Sequence, residues 1–308
     1  MRVLVIGAGV SGLSCAVRLR EAGHDVTIWT KDKPADTVSA VAAAIWYPYH
    51  AEPAERMAAW CAVSLKAFEQ LAADPSTGVI MRAGIEIFHD PTPDPYWMDG
   101  VPGFRRTRPS ELPPGYADGY AMQVPVIDMS IYLGWLEQRA RELGVTVVER
   151  RLSTLDEAFG AAEVIVNCTG LAAREVANDP EVFGMRGQIL VVDAPQVTEF
   201  LFDDSTVTYI IPRLHDVVIG GTAQEGDEDL AIRPENSASI RAHCEKLVPA
   251  LAGAPARREK VGIRPCRSVV RLEAEDVRGQ RIVHNYGHGG SGVTVSWGCA
   301  DEVVSLIQ

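Results

Sequence analysis

Residues 3–29 read VLVIGAGVSGLSCAVRLREAGHDVTIW, and the order of signals within them decides the fold. Met1 to Ile6 is an apolar run of strand length. Leu13, Ala16, Val17 and residues 19–22 then recur at helical spacing until Gly23 stops them, and HDVTIW is strand-like again. Between the first strand and the helix stand Gly7, Gly9 and Gly12, with Ala8 inside the turn. Strand, glycine turn, helix, strand is the mononucleotide-binding βαβ unit, and the motif gains its weight from those neighbours. Gly7 permits the tight turn, Gly9 lets a pyrophosphate approach bare backbone, and Gly12 lets helix and strand pack closely. The helix N-terminus then faces the phosphate charge. The acidic residue that usually meets the ribose is displaced. Thr30 stands near its place, leaving Asp32 as the ribose candidate and Lys31 beside a phosphate.

Downstream, 53–74 reads as a helix with Met57, Trp60, Cys61, Leu65, Phe68 and Leu71 on one face. Residues 90–120 are rich in proline, glycine and aromatics and predict loop with short strands. MSIYLGWLEQRARELG predicts a helix ended by Gly144, followed by the strand VTVVER; AEVIVNCTG is a further strand running into a polar turn. GQILVVD, TYIIP and DVVIGGT read as an antiparallel sheet, IRPENSASIRAHCEKLVPAL as a helix, and VTVSWGCADEVVSLI, from Val293, as a closing helix. The expected fold is α/β: a discontinuous Rossmann-like nucleotide-binding domain from 1–75, 121–180 and 265–308, and a second, mixed or antiparallel sheet-rich domain from 76–120 and 181–264.

The chain has 308 residues, 47% hydrophobic and 23% charged, with a formal net charge of −12. That balance fits an ordinary globular protein and argues against nucleic acid or an anionic membrane as partner. The apolar N-terminus lacks a cleavage signal and runs at once into charged RLREAGHD, so it does not read as a signal peptide. No window approaches a transmembrane span. The six cysteines show neither C-x-x-C nor metal-ligand spacing, which predicts free buried thiols, no metal and a cytoplasmic setting, with a homodimer left open.

Three stretches carry the candidate chemistry. VSAVAAAIWYPY, Val38 to Tyr49, places small residues before Ile45 and Trp46; it suits a flat apolar ring and equally suits a buried helix start. GIRPCRSVVRLE sets Arg264, Arg267 and Arg271 on apolar text. One of them aimed into a pocket would grip a carboxylate bidentately, and surface or interdomain ion pairs are the equal alternative. HNYGHGGSGVT, His284 to Thr294, has glycine at 287, 289, 290 and 292, a costly cluster unless a turn, a cap or a ligand against bare main chain requires it. Tyr209, in TYIIP, offers a hydroxyl to a ligand or packs in the core. His284 and His288 have no third metal ligand at useful spacing, and no serine sits in a G-x-S-x-G elbow.

Taken in order, VLVIGAGVSGLSCAVRLREAG, VAAAIWYPY, VIVNCTG, RGQI, TYIIP, VVIGGT, GIRPCRSVVRLE and HNYGHGGSGVTVSWGCA resemble the D-amino-acid oxidase family of flavoproteins, from residue 3 to about 302. The last two stretches are far more selective than the glycine motif. The resemblance implies FAD and oxidation of a D-amino acid's Cα–N bond, with hydride passing to flavin N5. Oxygen reoxidises the flavin to give hydrogen peroxide, and the imino acid hydrolyses to a 2-oxo acid and ammonia. It implies that Arg264 pairs with the substrate carboxylate, that Tyr209 donates to it, and that the Gly290 carbonyl orients the amine. Gly289, Gly290, Ser291, Gly292, Val293 and Thr294 are expected along the flavin pyrimidine edge and ribityl chain, with a helix N-terminus facing its C2 carbonyl. Ala43, Ala44 and Ile45 would pack near the other side of the ring, and Leu152 would meet the adenosine. No acid–base residue is required, since placement and flavin electronics suffice.

The chain departs from vertebrate members of that family, where a second active-site tyrosine rides on a long lid. Here that position is Ser205, and the lid looks truncated. Neutral or apolar D-amino acids are the expected substrates. D-aspartate oxidation would need a cation near the substrate side chain, for which Arg213 and His215 are the local candidates. Another amine-oxidising flavoenzyme, an NAD-dependent reductase and a non-catalytic flavin module are the further alternatives.

Overall fold

The computed structural model describes residues 1–48 and 52–307. In chain order its elements are β1 (Arg2–Ile6), α1 (Val10–Glu21), β2 (Asp25–Thr30), α2 (Ala54–Leu71), β3 (Val79–Phe88), β4 (Arg105–Arg106), β5 (Asp118–Ile127), α3 (Met129–Glu142), β6 (Thr146–Glu149), β7 (Val164–Asn167) and α4 (Ala173–Val176). There follow β8 (Phe183–Val192), β9 (Phe200–Asp203), β10 (Thr208–Pro212), β11 (Val217–Gly220), β12 (Gln224–Glu225), α5 (Pro234–Leu247), β13 (Ala256–Val277), β14 (Gln280–His288) and α6 (Ser296–Ile307).

The N-terminal expectation holds: β1 pairs in parallel with β2 and β7, β2 with β6, and β7 with β14. These strands are short and apolar because helices cover them. Leu13, Ala16 and Val17 of α1, Trp60 and Phe68 of α2, Leu136 of α3 and Val303 of α6 share one buried core with Val3, Val5, Ile28 and Val166.

The rest of the sheet is not a separate layer. Strands run in the single order β4-β5-β3-β9-β10-β11-β8-β13-β14-β7-β1-β2-β6, with β12 beside β8. The 22-residue β13 makes this continuity. Its first half, to Cys266, pairs with β8; after a register irregularity its second half, from Arg271, pairs with β14. β5 runs from Asp118 to Ile127 within the antiparallel half. Among the described residues no helix is long and apolar enough to cross a membrane. All six cysteines are free and buried.

Candidate active site

A cleft of about 670 Å³ runs from the N-terminus of α1 across one face of the antiparallel strands. At its first end Gly7 and Gly12 each meet a hard constraint. Gly7 holds φ +111°, and a Cβ on it would strike the Cys168 carbonyl. One on Gly12 would strike the Gly7 carbonyl, so Gly12 works by packing and does not line the cleft. Gly9 caps α1 with no side-chain hydrogen bond, and no acidic residue sits in the first turn. The leading amides of a 12-residue helix therefore face the cleft beside Gly7 and Ala8, as a pyrophosphate requires. The Val10 amide is shared with Ser39 Oγ at 3.1 Å.

Lys31 and Asp32 border the same end, 3.5 Å apart as an ion pair, and the Thr30 hydroxyl donates to the Asp32 carbonyl at 2.7 Å. Leu152, buried, packs in a cluster with Ile6 and Trp29. Arg150 stacks its guanidinium 3.9 Å from the Trp29 ring centroid on the cleft wall. Neither Arg150 nor Ser39 carries a local sequence signal, because each arrives from a segment with no fixed spacing to the glycine turn.

Ala43, Ala44 and Ile45 line the middle of the cleft. The segment is neither a helix start nor a free loop; it is strapped along β5. The Ile127 amide donates to the Ala44 carbonyl and the Trp46 amide to the Pro125 carbonyl, each at 2.8 Å, and Ile45 bridges Val126. Ala44 holds φ +55°, a left-handed conformation unusual for a residue with a Cβ. Thr294 locks the strap to the glycine loop, its Oγ1 donating to the Tyr47 carbonyl at 3.0 Å. Tyr49, the end of the quoted stretch, lies outside the described residues.

In the loop itself, Gly289, Gly290, Gly292, Val293 and Thr294 line the cleft, whereas Ser291 is fully buried and outside its lining. Gly287 and Gly289 hold φ +84° and +55°, and a Cβ on Gly287 would come within 2.7 Å of the Arg267 side chain. Part of the glycine cluster is thus turn and packing, and part is bare wall. α6 begins at Ser296 rather than at Val293; residues 289–291 form a 3-10 turn first. His288 also borders the cleft, bonded through Nε2 to Asn285 Oδ1 at 2.9 Å; burial pushes its pKa down to about 4, so it stays neutral.

The far end is built by strand register. Glu86 on β3 pairs with Phe202 on β9, Phe202 with Tyr209 on β10, and Tyr209 with Gly220 on β11. Residues directly opposed across a ladder project to the same face, so these form one row. Arg264 on β13 turns to that face. Its Nη1 donates to the Thr222 carbonyl at 2.9 Å, and among the described residues no carboxylate pairs with it. Gly187 clears its space: a Cβ there would lie 2.6 Å from Nη1 and 2.8 Å from Cζ. Gly221 does the same for the Tyr209 hydroxyl end. Burial raises the Tyr209 pKa and the neighbouring Arg264 charge partly opposes it.

The other two arginines are structural. Arg267 meets Asp179 at 3.0 Å and Glu181 at 2.9 Å, and Arg271 meets Glu273 and the Tyr286 hydroxyl, both at 2.8 Å. Arg213 is buried against Asp216 at 2.7 Å and Asp128 at 3.4 Å; neither it nor His215 lines the cleft. Ser205 sits in the three-residue turn Asp204–Thr206 between β9 and β10, its amide bonded to Asp203 Oδ1 at 3.1 Å. No long lid can arise from that connection.

The family described as FAD dependent oxidoreductase matches residues 2–306 of the chain. The D-amino-acid oxidase of Rubrobacter xylanophilus is 47% identical over 99% of this chain and 95% of its own length. Human D-aspartate oxidase is 40% identical, covering 100% of this chain and 94% of its own. Among solved structures, glycine oxidase from Geobacillus kaustophilus superposes with a TM-score of 0.83 at 19% identity, over 99% of this chain and 94% of that one, a likeness of fold. The uncapped helix end, the bare glycine wall and the strap opposite it fit a flavin dinucleotide from the α1 end of the cleft to the glycine loop, and together with these matches they assign the chain to the D-amino-acid oxidase family of FAD-dependent oxidoreductases.

Proposed function

We propose that the chain oxidises D-amino acids with neutral or apolar side chains to 2-oxo acids, releasing ammonia and hydrogen peroxide. The observation that carries this reading is Arg264: a guanidinium on the cleft wall with no acidic partner among the described residues, beside the Tyr209 hydroxyl, in space that glycines keep open. An unpaired cation in such a place is costly unless a ligand anion completes it. An α-carboxylate supplies that anion in the planar, bidentate form a guanidinium matches.

Arg264 and Tyr209 hold the carboxylate, and the Gly290 carbonyl accepts a hydrogen bond from the α-amine. Three fixed points on one substrate determine where Cα and its hydrogen lie, and only one enantiomer then presents the hydrogen inward. When bound, FAD supplies the two-electron acceptor for the α-hydrogen, taken as hydride, and is reoxidised by oxygen. His288 stays neutral and engaged with Asn285, so the chain contributes placement rather than a proton acceptor at Cα. The imine product loses its amine to water without help from the protein.

D-aspartate is the weaker reading. Its cation candidates, Arg213 and His215, lie outside the cleft, which carries Glu86, Asp203 and Asp204 instead. The buried free thiols support a cytoplasmic setting. Peroxide release by flavin-loaded protein on a panel of D- and L-amino acids tests the proposal. Turnover of D-alanine but not L-alanine is expected; equal turnover of both, or of D-aspartate alone, would refute it.

A further inference from the structure

Glu86 stands out because the reaction has no use for it. It is only 3% exposed, yet it borders the cleft on the row that holds Tyr209. Its Oε1 accepts a hydrogen bond from the Tyr47 hydroxyl at 2.6 Å, and its Oε2 is buried with no partner. A carboxylate with one donor among four lone-pair sites is an expensive thing to bury. If holding Tyr47 were its whole task, a glutamine carbonyl would accept the same hydrogen bond without the charge. Glu86 is also badly placed to serve as a base at the amine. It lies two strands from Tyr209, with Phe202 between them, whereas the amine belongs at the glycine loop.

Adjacent strands are about 4.8 Å apart, so the backbones at Glu86 and Tyr209 are separated by about 10 Å across the Phe202 ring. Tyr47 flanks the same passage, its ring centroid 5.2 Å from that of Phe202. A substrate held by its carboxylate at Arg264 and Tyr209 has this passage open to its side chain. A methyl does not reach Glu86; a side chain of lysine or arginine length spans the gap.

We infer that Glu86, oriented by Tyr47, reads the far end of a long substrate side chain, and that beside small neutral and apolar D-amino acids the cleft accepts long ones ending in a hydrogen-bond donor, a cationic end being favoured over an apolar end of the same length. This extends the substrate range of the D-amino-acid reading above and rests on it. The charged groups around Glu86 agree. Among the described residues, Tyr47 approaches from the strap, Tyr120 from the facing position on β5, and Asp204 from the turn after β9; Arg106, over the Tyr120 ring, is already paired with Asp94 and Asp118. Burial first, and the Asp204 field after it, push the Glu86 pKa up, against the Tyr47 hydrogen bond; a bound cation would draw it down again.

The test compares D-lysine with D-norleucine, the same chain without the terminal amine, on flavin-loaded protein, each normalised to D-alanine in the same variant. Above pH 7, where Glu86 is ionised, the wild type is expected to favour D-lysine. Glu86→Gln should cut the D-lysine to D-norleucine ratio of kcat/KM by about ten- to a hundred-fold, the range for a lost charge-assisted hydrogen bond. Tyr47→Phe, which keeps the carboxylate but removes the hydroxyl that orients it, should lower that ratio by less than Glu86→Gln does. A wild type that favours D-norleucine, or a ratio that Glu86→Gln leaves unmoved, overturns the inference; the wild-type ratio decides without any variant having to fold. Failure to turn over D-alanine at full flavin occupancy would instead overturn the reaction class, and the inference with it.

Discussion

Replacing Gly187 by alanine should disable the substrate clamp without altering any charge in the cleft. The added Cβ would sit 2.6 Å from Arg264 Nη1 and 2.8 Å from Cζ and Nη2. To regain ordinary contact the guanidinium must retreat by about 0.8 Å, and the Nη1 bond to the Thr222 carbonyl, now 2.9 Å, goes with it. The atoms in the way are the far end of a flexible side chain, so the strand itself need not move. β8 keeps its ladder, and the fold should lose no more than about 1 kcal/mol. The substrate carboxylate follows the guanidinium or loses half of its fork. Displacement of that size at a reacting centre costs on the order of a hundredfold, so kcat/KM for D-alanine should fall by about 30- to 100-fold, equivalent to 2–3 kcal/mol. Arg264→Leu removes the charge altogether and should fall further, with a loss of about 2–5 kcal/mol. The assay is steady-state peroxide release, with flavin absorbance and thermal unfolding measured on the same preparations. A Gly187→Ala enzyme within threefold of wild type, with flavin bound, would show that the position of Arg264 does not set the rate.

Three other changes probe the remaining parts of the site. Tyr209→Phe leaves the arginine in place and should cost about 1–3 kcal/mol in kcat/KM; an unchanged value would mean that the ring only packs. Gly290→Val should fold, since β14 and α6 flank it intact, but should bind FAD weakly or hold it with a dead substrate site; full occupancy with bleaching by D-alanine at the normal rate would refute the carbonyl's role. Glu86→Gln should change how stability depends on pH. The folded-state pKa of Glu86 is about 7, above its ordinary 4.5, so the wild type loses stability as pH rises from about 4.5 to 7 while ionisation becomes costly. Glutamine removes that loss, and the variant should match the wild type at pH 4 and exceed it by about 3 kcal/mol at pH 8 in urea unfolding, a difference absent if Glu86 is solvated.

What the sequence made legible is what acts within a short span of chain. Gly7, Gly9 and Gly12 read as a phosphate-binding turn because strand, turn and helix are contiguous there, and in the structure Gly7 and Gly12 have no room for a Cβ while Gly9 caps the helix. The strap was half legible. Small residues at 43–45 suggested a flat partner, but the left-handed Ala44 and the pairing with β5 depend on a strand some eighty residues away. β13 escaped detection for a similar reason. Its first half pairs with β8 and its second half with β14, so no single alternation of burial runs along its length. The arginine triplet could not be divided by inspection either. Asp179 is what makes Arg267 and Arg271 structural, and it lies in a loop before β8.

The same reasoning explains why the substrate end was harder to read than the nucleotide end. A phosphate is met by backbone amides, whose position follows from local conformation alone. A carboxylate on the open face of a sheet is met by side chains whose room is made by other strands. Gly187 and Gly221 serve Arg264 and Tyr209 from outside their own segments, so nothing near Arg264 or Tyr209 in the chain announces them. The register that aligns Glu86, Phe202 and Tyr209 likewise joins three strands, one of them separated by more than a hundred residues. Among the described residues, those pairings leave one sheet face with a cation that has no acidic partner at one end and a carboxylate oxygen without a donor at the other. Each is costly for the fold without a partner, and a folded chain that could have neutralised either by a single substitution keeps both. An amino acid bearing its own carboxylate at one end and a donor at the other relieves the two costs at once. Acidic substrates would relieve only the first and aggravate the second. If Glu86 reads the far end of the substrate as inferred above, opposed charges at the two ends of the passage would set the orientation in which a long side chain enters.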